Sequence, residues 1–520
     1  MKRIRFSFLT ILIICFSLFS YSQEQKQIRE LSLEDSIIKA LKNNLDINVE
    51  IFTPKISDAL ILKSEGIFSP NFSLNSTYQQ MNQPSTSVLE GARVSTQDTK
   101  NFSFSFQKRF NLGTNVQVSL NNNIFSTNSR FYDYNPNYTS QLRVNIIQPL
   151  LRNFGEAINT KEIKVAQNNK EISVAQVKSK LNDLIYQVQE AYWNLVFAIE
   201  ELKVKRQSLK LAQDLLEQNR IQVKIGTLAP IEILVAEAEV ANREVDILSS
   251  ETQVKLWQDQ LKKIINLPGE EEKWEVEIVP TSKPSFEKMA IDLDKCIETA
   301  ISTRPELEQL KIDVENNNIN IKFYKNQLLP SLDLTGSVWS TGRSGDMVIY
   351  ENNNPFFGKI IGKIEGSTTD SIKDALKALY KNYYVALNIS YPLFTAPIKA
   401  DLARSQLELS QSLLRIKSLE QTINLDVRTA VREIEANLKK LDATKKAREL
   451  AEKKLEAEQK KLNVGLSTNY QVLQFQRDLS IAQTSELKAI IDYNLSIAKL
   501  NKAMGKSLEA HNIKFNEIIK

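Results

Sequence analysis

Two periodicities take turns along this chain. After Pro70, Phe72, Leu74 and Tyr78 point one way while Asn71, Ser73, Asn75 and Thr77 point the other. Leu332, Leu334 and Val338 repeat the period of two against Ser331, Asp333 and Thr335. Leu142, Val144 and Ile146 carry it in a third segment, and Tyr383, Val385, Leu387, Ile389 and Tyr391 in a fourth. This alternation predicts four β-strands, each with one apolar and one polar face. Tyrosines near both ends suit a strand crossing a membrane in a barrel, and equally a half-buried strand of a soluble sheet.

Elsewhere the pattern lengthens to the helical period. Glu156 to Ile225 is 70 residues without glycine or proline, and Ile231 to Leu267 another 37. In the second half Ile398 to Val464 gives 67 and Leu466 to Met504 gives 39. At about 1.5 Å rise per residue, the longer pieces predict helices on the order of 100 Å and the shorter ones about 55–60 Å. Ala447, Ala451, Leu455 and Leu462 fall on one face, and Leu441, Leu455 and Leu462 are separated by multiples of seven. That spacing predicts coiled-coil packing, with alanines allowing close approach. Tyr192, Leu195, Ile199 and Leu202 make a broader apolar face in the first half. One glycine separates each long helix from its shorter successor: Gly226 and Gly465, 239 residues apart.

The whole plan occurs twice. Leu33-Glu34-Asp35-Ser36-Ile37-Ile38-Lys39-Ala40-Leu41 matches Leu293-Asp294-Lys295-Cys296-Ile297-Glu298-Thr299-Ala300-Ile301 at an offset of 260. Pro70-Asn71-Phe72-Ser73-Leu74-Asn75 matches Pro330-Ser331-Leu332-Asp333-Leu334-Thr335 at the same offset. Each half reads as short helices, strand, loop, strand, long helix, glycine turn and shorter helix, the signature of a duplication. The expected division is 1–22 export signal, 23–268 first repeat, 269–291 linker and 292–520 second repeat.

Composition narrows the possibilities. The chain has 520 residues, 42% hydrophobic and 25% charged, ordinary values for a folded protein. Lys2, Arg3 and Arg5 precede an apolar run from Phe6 to Phe19, and Ser20-Tyr21-Ser22 offers small residues before Gln23, which predicts a signal peptide. Losing those three cations and no acids takes the formal net charge from +5 to +2, which removes the case for a nucleic-acid partner. Cys296 then stands alone, so no internal disulfide is expected. His511 is the sole histidine, and no spacing of His and Cys suits a metal or a cofactor, so an enzyme is not expected. Gly358-Lys359-Ile360-Ile361-Gly362-Lys363-Ile364 superficially resembles a phosphate loop, with the wrong spacing and no Ser or Thr after the lysine.

No later segment is apolar for the 18 or more residues a membrane helix needs, so any membrane crossing must use strands. Four strands cannot close a barrel in lipid, where at least eight are required and open edges are prohibitive. Three copies would supply twelve. A further hairpin is predicted by Phe102, Phe104 and Phe106, a turn at Asn111-Leu112-Gly113, and Val116, Val118 and Leu120. It is assigned to an extension of the outer loop, and whether residues 101–124 add barrel strands stays open. Stretches at about 82–100, 121–139 and 341–381, rich in Asn, Ser, Gly and Thr, are expected as exposed loops.

Across nearly all its mature length the chain resembles the TolC-like outer-membrane efflux proteins. The resemblance rests on the duplicated plan, on Gln148-Pro149-Leu150-Leu151 and Tyr391-Pro392-Leu393-Phe394 where strands pass into long helices, and on the glycine turns, followed by Ile233-Leu234-Val235-Ala236-Glu237 and Val472-Leu473-Gln474. It implies an α+β membrane protein: a long α-helical coiled-coil barrel joined to a transmembrane β-barrel formed by a trimer, four strands per chain and internally duplicated. It implies a place in the cell outer membrane, with the helical part in the periplasm. The implied function is the exit duct of a tripartite efflux or type I secretion system, without chemistry of its own. Implied partners are a homotrimer, outer-membrane lipid, a periplasmic adaptor (membrane fusion) protein and an inner-membrane transporter. Gly226, Thr227 and Leu228, with Gly465, Leu466 and Ser467, match the adaptor-docking tips. Any helical hairpin also needs such a turn. Glu232, Gln471 and Gln474 match the periplasmic aperture, where the family commonly has acids and hydrogen bonds holding the entrance shut. Glutamines at 471 and 474 depart from that pattern, and Glu232 also suits the first turn of any helix. The rival is a secreted or surface coiled-coil structural or adhesive protein without a conduit, which accounts for the helices and signal but not for strands recurring before each long helix.

Overall fold

The computed structural model describes residues 28–86, 93–129, 131–267, 274–284, 286, 288, 290–354, 358–515 and 518; the export signal expected at 1–22 lies outside the described residues. The first half holds β1 (Ile28–Leu31), α1 (Leu33–Asn43), α2 (Leu45–Glu65), β2 (Asn71–Pro84), β3 (Val94–Arg109), β4 (Asn115–Thr127), β5 (Tyr134–Pro149), the single turn α3 (Glu156–Asn159), α4 (Lys161–Lys224) and α5 (Ile231–Ile265). The second holds β6 (Glu277–Pro280), α6 (Leu293–Thr303), α7 (Pro305–Gln327), β7 (Ser331–Tyr350), β8 (Ile360–Ile364), α8 (Thr368–Leu376), β9 (Lys381–Ser390), α9 (Ala396–Asn463), α10 (Asn469–Ala503) and the turn α11 (Ser507–Ala510).

The fold is α+β, and the duplication is visible in the order of its elements. The stretches free of glycine and proline become α4 and α9, of 64 and 68 residues, and α5 and α10, of 35 each. Even the caps repeat. Ser32 Oγ accepts from the Asp35 N–H at 3.0 Å to start α1. Asp292 accepts from Asp294 N–H at 3.1 Å and Lys295 N–H at 3.4 Å to start α6. Both satisfy amides that the first helical turn leaves unpaired. Two compact units form, each drawing on both halves: residues to Phe52 with Ala175–Leu307 and Ser418 onwards, and Thr53–Val174 with Glu308–Lys417.

The first unit is helical, with two corresponding cores. Ile37 and Leu41 of α1 pack with Leu181, Ile185 and Leu195 of α4 and with Leu261 and Ile265 of α5. Ala300 and Leu307 pack with Ile423, Val427 and Val431 of α9 and Leu500 of α10. Each fully buried Leu or Ile contributes roughly 1.5–3 kcal/mol. β1 and β6 pair in parallel beside the first core. The buried Tyr192 secures them: its hydroxyl donates to Leu31 O at 3.1 Å and accepts from Ser282 N–H at 2.9 Å. A smaller cluster joins Ala212 and Leu215 of α4, Leu455 of α9, and Val472 and Leu473 of α10. Leu441 and Leu455 are buried as the heptad spacing predicts, whereas Ala447 is exposed in the isolated chain.

The second unit carries the sheet, ordered β2-β3-β4-β5-β7-β8, with β9 also on β7. The four expected strands are present as β2, β5, β7 and β9. The hairpin at 101–124 is a correction: it is not a loop extension but lies inside the sheet. β3 pairs with β2 from Asn71↔Gln107 to Pro84↔Val94, and β4 pairs with β5 from Asn115↔Ile147 to Phe125↔Asn137. Inserted this way, its backbone groups are satisfied on both outer edges. The three expected loops are also largely structured. β2 runs to Pro84, β3 starts at Val94, β4 and β5 fill most of 121–139, and β7, β8 and α8 occupy much of 341–376. Asn, Ser and Thr on both faces hide the period of two, while the backbone ladder needs no such period. Ile360–Ile364, inside the glycine–lysine stretch, is a short edge strand on β7.

Candidate functional site at the helix-hairpin tips

Both glycine turns have one geometry. Gly226 and Gly465 each adopt φ of 77°, a left-handed conformation that costs glycine little. Gly226 N–H donates to Val223 O at 3.0 Å and Thr227 N–H to Gln222 O at 2.9 Å. Gly465 N–H donates to Leu462 O at 3.0 Å and Leu466 N–H to Lys461 O at 2.9 Å. These are paired Schellman closures, in which the last carbonyls of α4 and α9 find donors. The following helices start differently. Pro230 precedes α5, where a missing N–H is harmless, and Thr468 caps α10 by accepting from Gln471 N–H at 3.3 Å.

The turns expose apolar side chains. Ile221, Ile225, Ile231 and Leu234 are exposed around the first, and Val464, Tyr470 and Leu466, the last at 78%, around the second. Of the residues expected there, Gly226, Thr227, Gly465 and Leu466 are exposed, and Leu228 and Ser467 half-buried. Ser467 also ties its turn down: its hydroxyl lies 2.5 Å from Glu458 Oε1 and 3.1 Å from Gln471 Oε1. Lys461 Nζ reaches Glu458 at 3.1 Å. The Ser467 hydrogen bond, aided by Lys461, holds the Glu458 carboxyl below the ordinary carboxylate range.

The expected aperture residues lie just beyond. Glu232, in the first turn of α5, is half-buried, and its carbonyl accepts from Asn219 Nδ2 at 3.4 Å. Gln471 and Gln474 are exposed and bonded within their own hairpin, Gln471 to Ser467 and Gln474 to Asp478 at 3.2 Å. The single chain does not join Glu232 to either glutamine.

Sequence reasoning missed the strongest polar feature of this region. Arg243 on α5 is 5% exposed. Its Nη1 donates to Ser208 O at 2.5 Å, Ser208 Oγ at 3.1 Å and Gln476 Oε1 at 3.3 Å, and its Nη2 to Leu473 O at 3.3 Å. Nε pairs with Glu239 at 3.1 Å. One guanidinium thus bridges α4, α5 and α10, a role its planar fork suits and a lysine's point charge does not. A signal existed. Ala236, Val240, Arg243 and Ser250 follow spacings of four, three and seven, which puts the arginine on a core stripe.

The duplicated helical hairpins and the antiparallel sheet have counterparts among known proteins. The family model described as outer membrane efflux protein matches residues 110–267 and 296–506, and the chain belongs to that family. Its members are outer-membrane channels. No curated protein matches the sequence. Among solved structures, the Campylobacter jejuni CmeC outer membrane channel is 14% identical with a TM-score of 0.64, over 91% of this chain and 86% of its own. The open state of the Neisseria gonorrhoeae MtrE outer membrane channel is 19% identical with a TM-score of 0.62, over 92% and 89%. The outer membrane protein VceC of Vibrio cholerae is 12% identical with a TM-score of 0.62, over 91% and 96%. No described helix is long and apolar enough to cross a membrane.

Proposed function

We propose that three copies of this chain form a channel-tunnel in the cell outer membrane that serves as the exit duct of a tripartite efflux or type I secretion system. The observation that carries this reading is the pair of matching Schellman tips, each presenting exposed apolar side chains at the end of a helical hairpin. Three chains would offer six such tips to a periplasmic adaptor, with Leu466, Val464 and Ile225 as its apolar contacts. The duct supplies no chemistry; an inner-membrane transporter supplies the energy. Glu232, Gln471 and Gln474 form the aperture in this reading. Neutral amides at two of the three positions select by charge less strongly than carboxylates would. Arg243 supplies the tie that keeps one hairpin packed on the other while the entrance is shut. The apolar face of the sheet meets outer-membrane lipid, a requirement that a conduit-free rod does not share.

The test is the double variant Gly226→Pro with Gly465→Pro. Proline is confined to φ near −65° and has no N–H, so it can satisfy neither the left-handed φ nor the closing bonds to Val223 and Leu462. The variant is expected to insert as a trimer in the outer membrane and to lose export. Export at the wild-type level would refute tip docking. Protein recovered outside the cell without detergent, and silent in planar bilayers, would refute the channel itself.

A further inference from the structure

The register of the sheet says more than its strand count. Cross-strand partners followed from edge to edge trace one row: Phe72, Phe106, Val118, Val144, Val338 and Tyr383. All six are apolar, and directly opposed residues share a face. The neighbouring row on that face begins Leu74, Phe104, Leu120, Leu142. The row between them, on the other face, reads Ser73, Ser105, Ser119, Arg143, Trp339, Asn382. β3 and β4 therefore continue an apolar belt at the same height as the strands on either side of them. Phe104 and Phe106 remain 42% and 39% exposed, which a hairpin surrounded by water has no reason to arrange.

Among the described residues β2 pairs only with β3, and β9 only with β7. Both are exposed at all but one position. In lipid, each unpaired N–H and C=O along such an edge costs several kcal/mol, so both edges need partners. The six long strands alternate in direction, and six is even, so β2 and β9 run oppositely. β9 of one copy can then pair antiparallel with β2 of the next.

We propose that the β3–β4 hairpin is part of the membrane wall, and that three copies close an eighteen-stranded barrel through β9–β2 pairing between copies. This rests on the trimeric outer-membrane reading above. With strands about 4.8 Å apart and tilted near 40°, eighteen strands give a backbone diameter of about 36 Å, against about 24 Å for twelve. The cross-section roughly doubles. The membrane part would then pass bulky hydrated solutes freely, leaving the helix tips as the step that limits cargo size.

Spin labels in proteoliposomes test this, on cysteines placed one at a time in a Cys296→Ala background. Phe104→Cys and Leu120→Cys should relax with oxygen, and Ser105→Cys and Ser119→Cys with a water-soluble nickel chelate. Val385→Cys and Ala386→Cys on β9 serve as the reference pair, lipid and lumen respectively. If β9 alternates while positions 104 and 120 respond to nickel, the hairpin lies outside the wall and the proposal fails with the channel intact. Nickel relaxation at both β9 positions would overturn the membrane reading as well. Electron microscopy of the unmodified trimer in nanodiscs gives a direct count, eighteen expected and twelve refuting.

Discussion

In the duct proposed above, Arg243→Ala should open the entrance. Of the bonds made by the guanidinium, those to Ser208 and Glu239 stay within one hairpin, whereas those to Gln476 and Leu473 hold that hairpin to α10. Hydrogen bonds from a charged group contribute roughly 1.5–3 kcal/mol each, and at 3.3 Å both belong at or below the low end. With water replacing part of what is lost, the tie amounts to about 2 kcal/mol per chain. Three copies give about 6 kcal/mol, against about 5.5 kcal/mol needed to carry a two-state equilibrium from 1:99 to 99:1. The entrance should pass from mostly shut to mostly open. Single-channel recording of the purified trimer reads this as a shift of dwell time to the high-conductance level. Arg243→Lys keeps the charge without the fork and should fall between the two. If Arg243→Ala lowers the melting temperature and leaves conductance unchanged, the arginine is a packing element and does not hold the entrance shut.

Three further outcomes follow from the polar contacts. Glu458 has a lowered folded pKa, so the stability it lends the second tip is present above the ordinary carboxylate value and lost as pH falls through the folded one. Ser467→Ala removes the main cause and should move acid-induced proteolysis at that tip to higher pH. Burial lowers the pKa of His511, whose Nε2 lies 2.5 Å from Gln189 Nε2, partly offset by Glu34. Its stabilisation is complete above the ordinary value of 6.5 and lost as pH falls through the folded one, because burial disfavours the charged ring. The wild-type melting temperature should fall between pH 7.5 and 5, and His511→Phe should flatten that fall. Tyr192→Phe strands the Ser282 N–H and should cost roughly 1–3 kcal/mol in denaturant unfolding; a change within error would show that water reaches the site.

Much of the fold is legible in the alternation and in the absence of helix breakers. The belt residues Phe72, Val144, Val338 and Tyr383 mark four strands because an apolar face enforces a period of two. The same signal at Phe104 and Val118 finds the hairpin but not its neighbours. That β2 pairs with β3 and not with β5 is a long-range choice, and one strand's alternation does not name its partner. The polar ends of the strands vanish from the pattern because Asn, Ser and Thr are equally at home on either face in water. At the tips, Gly226 and Gly465 are visible because φ of 77° selects glycine. Arg243 is visible in part. Its place on the core stripe can be read, but Ser208 and Gln476, 35 and 233 residues away, cannot be paired with it until the helices are packed.

The even count of strands before each long helix has an evolutionary consequence. A strand added singly would reverse every later segment and deliver α4 or α9 to the opposite end of the sheet. A hairpin added whole leaves every direction downstream unchanged. β3 and β4, whose short turn at Phe110–Thr114 faces the same end of the sheet as the chain's entry into β2, have the form of such an insertion. The wall proposed above can widen by inheritance in steps of two strands per chain, while α4, α5, α9 and α10 remain untouched.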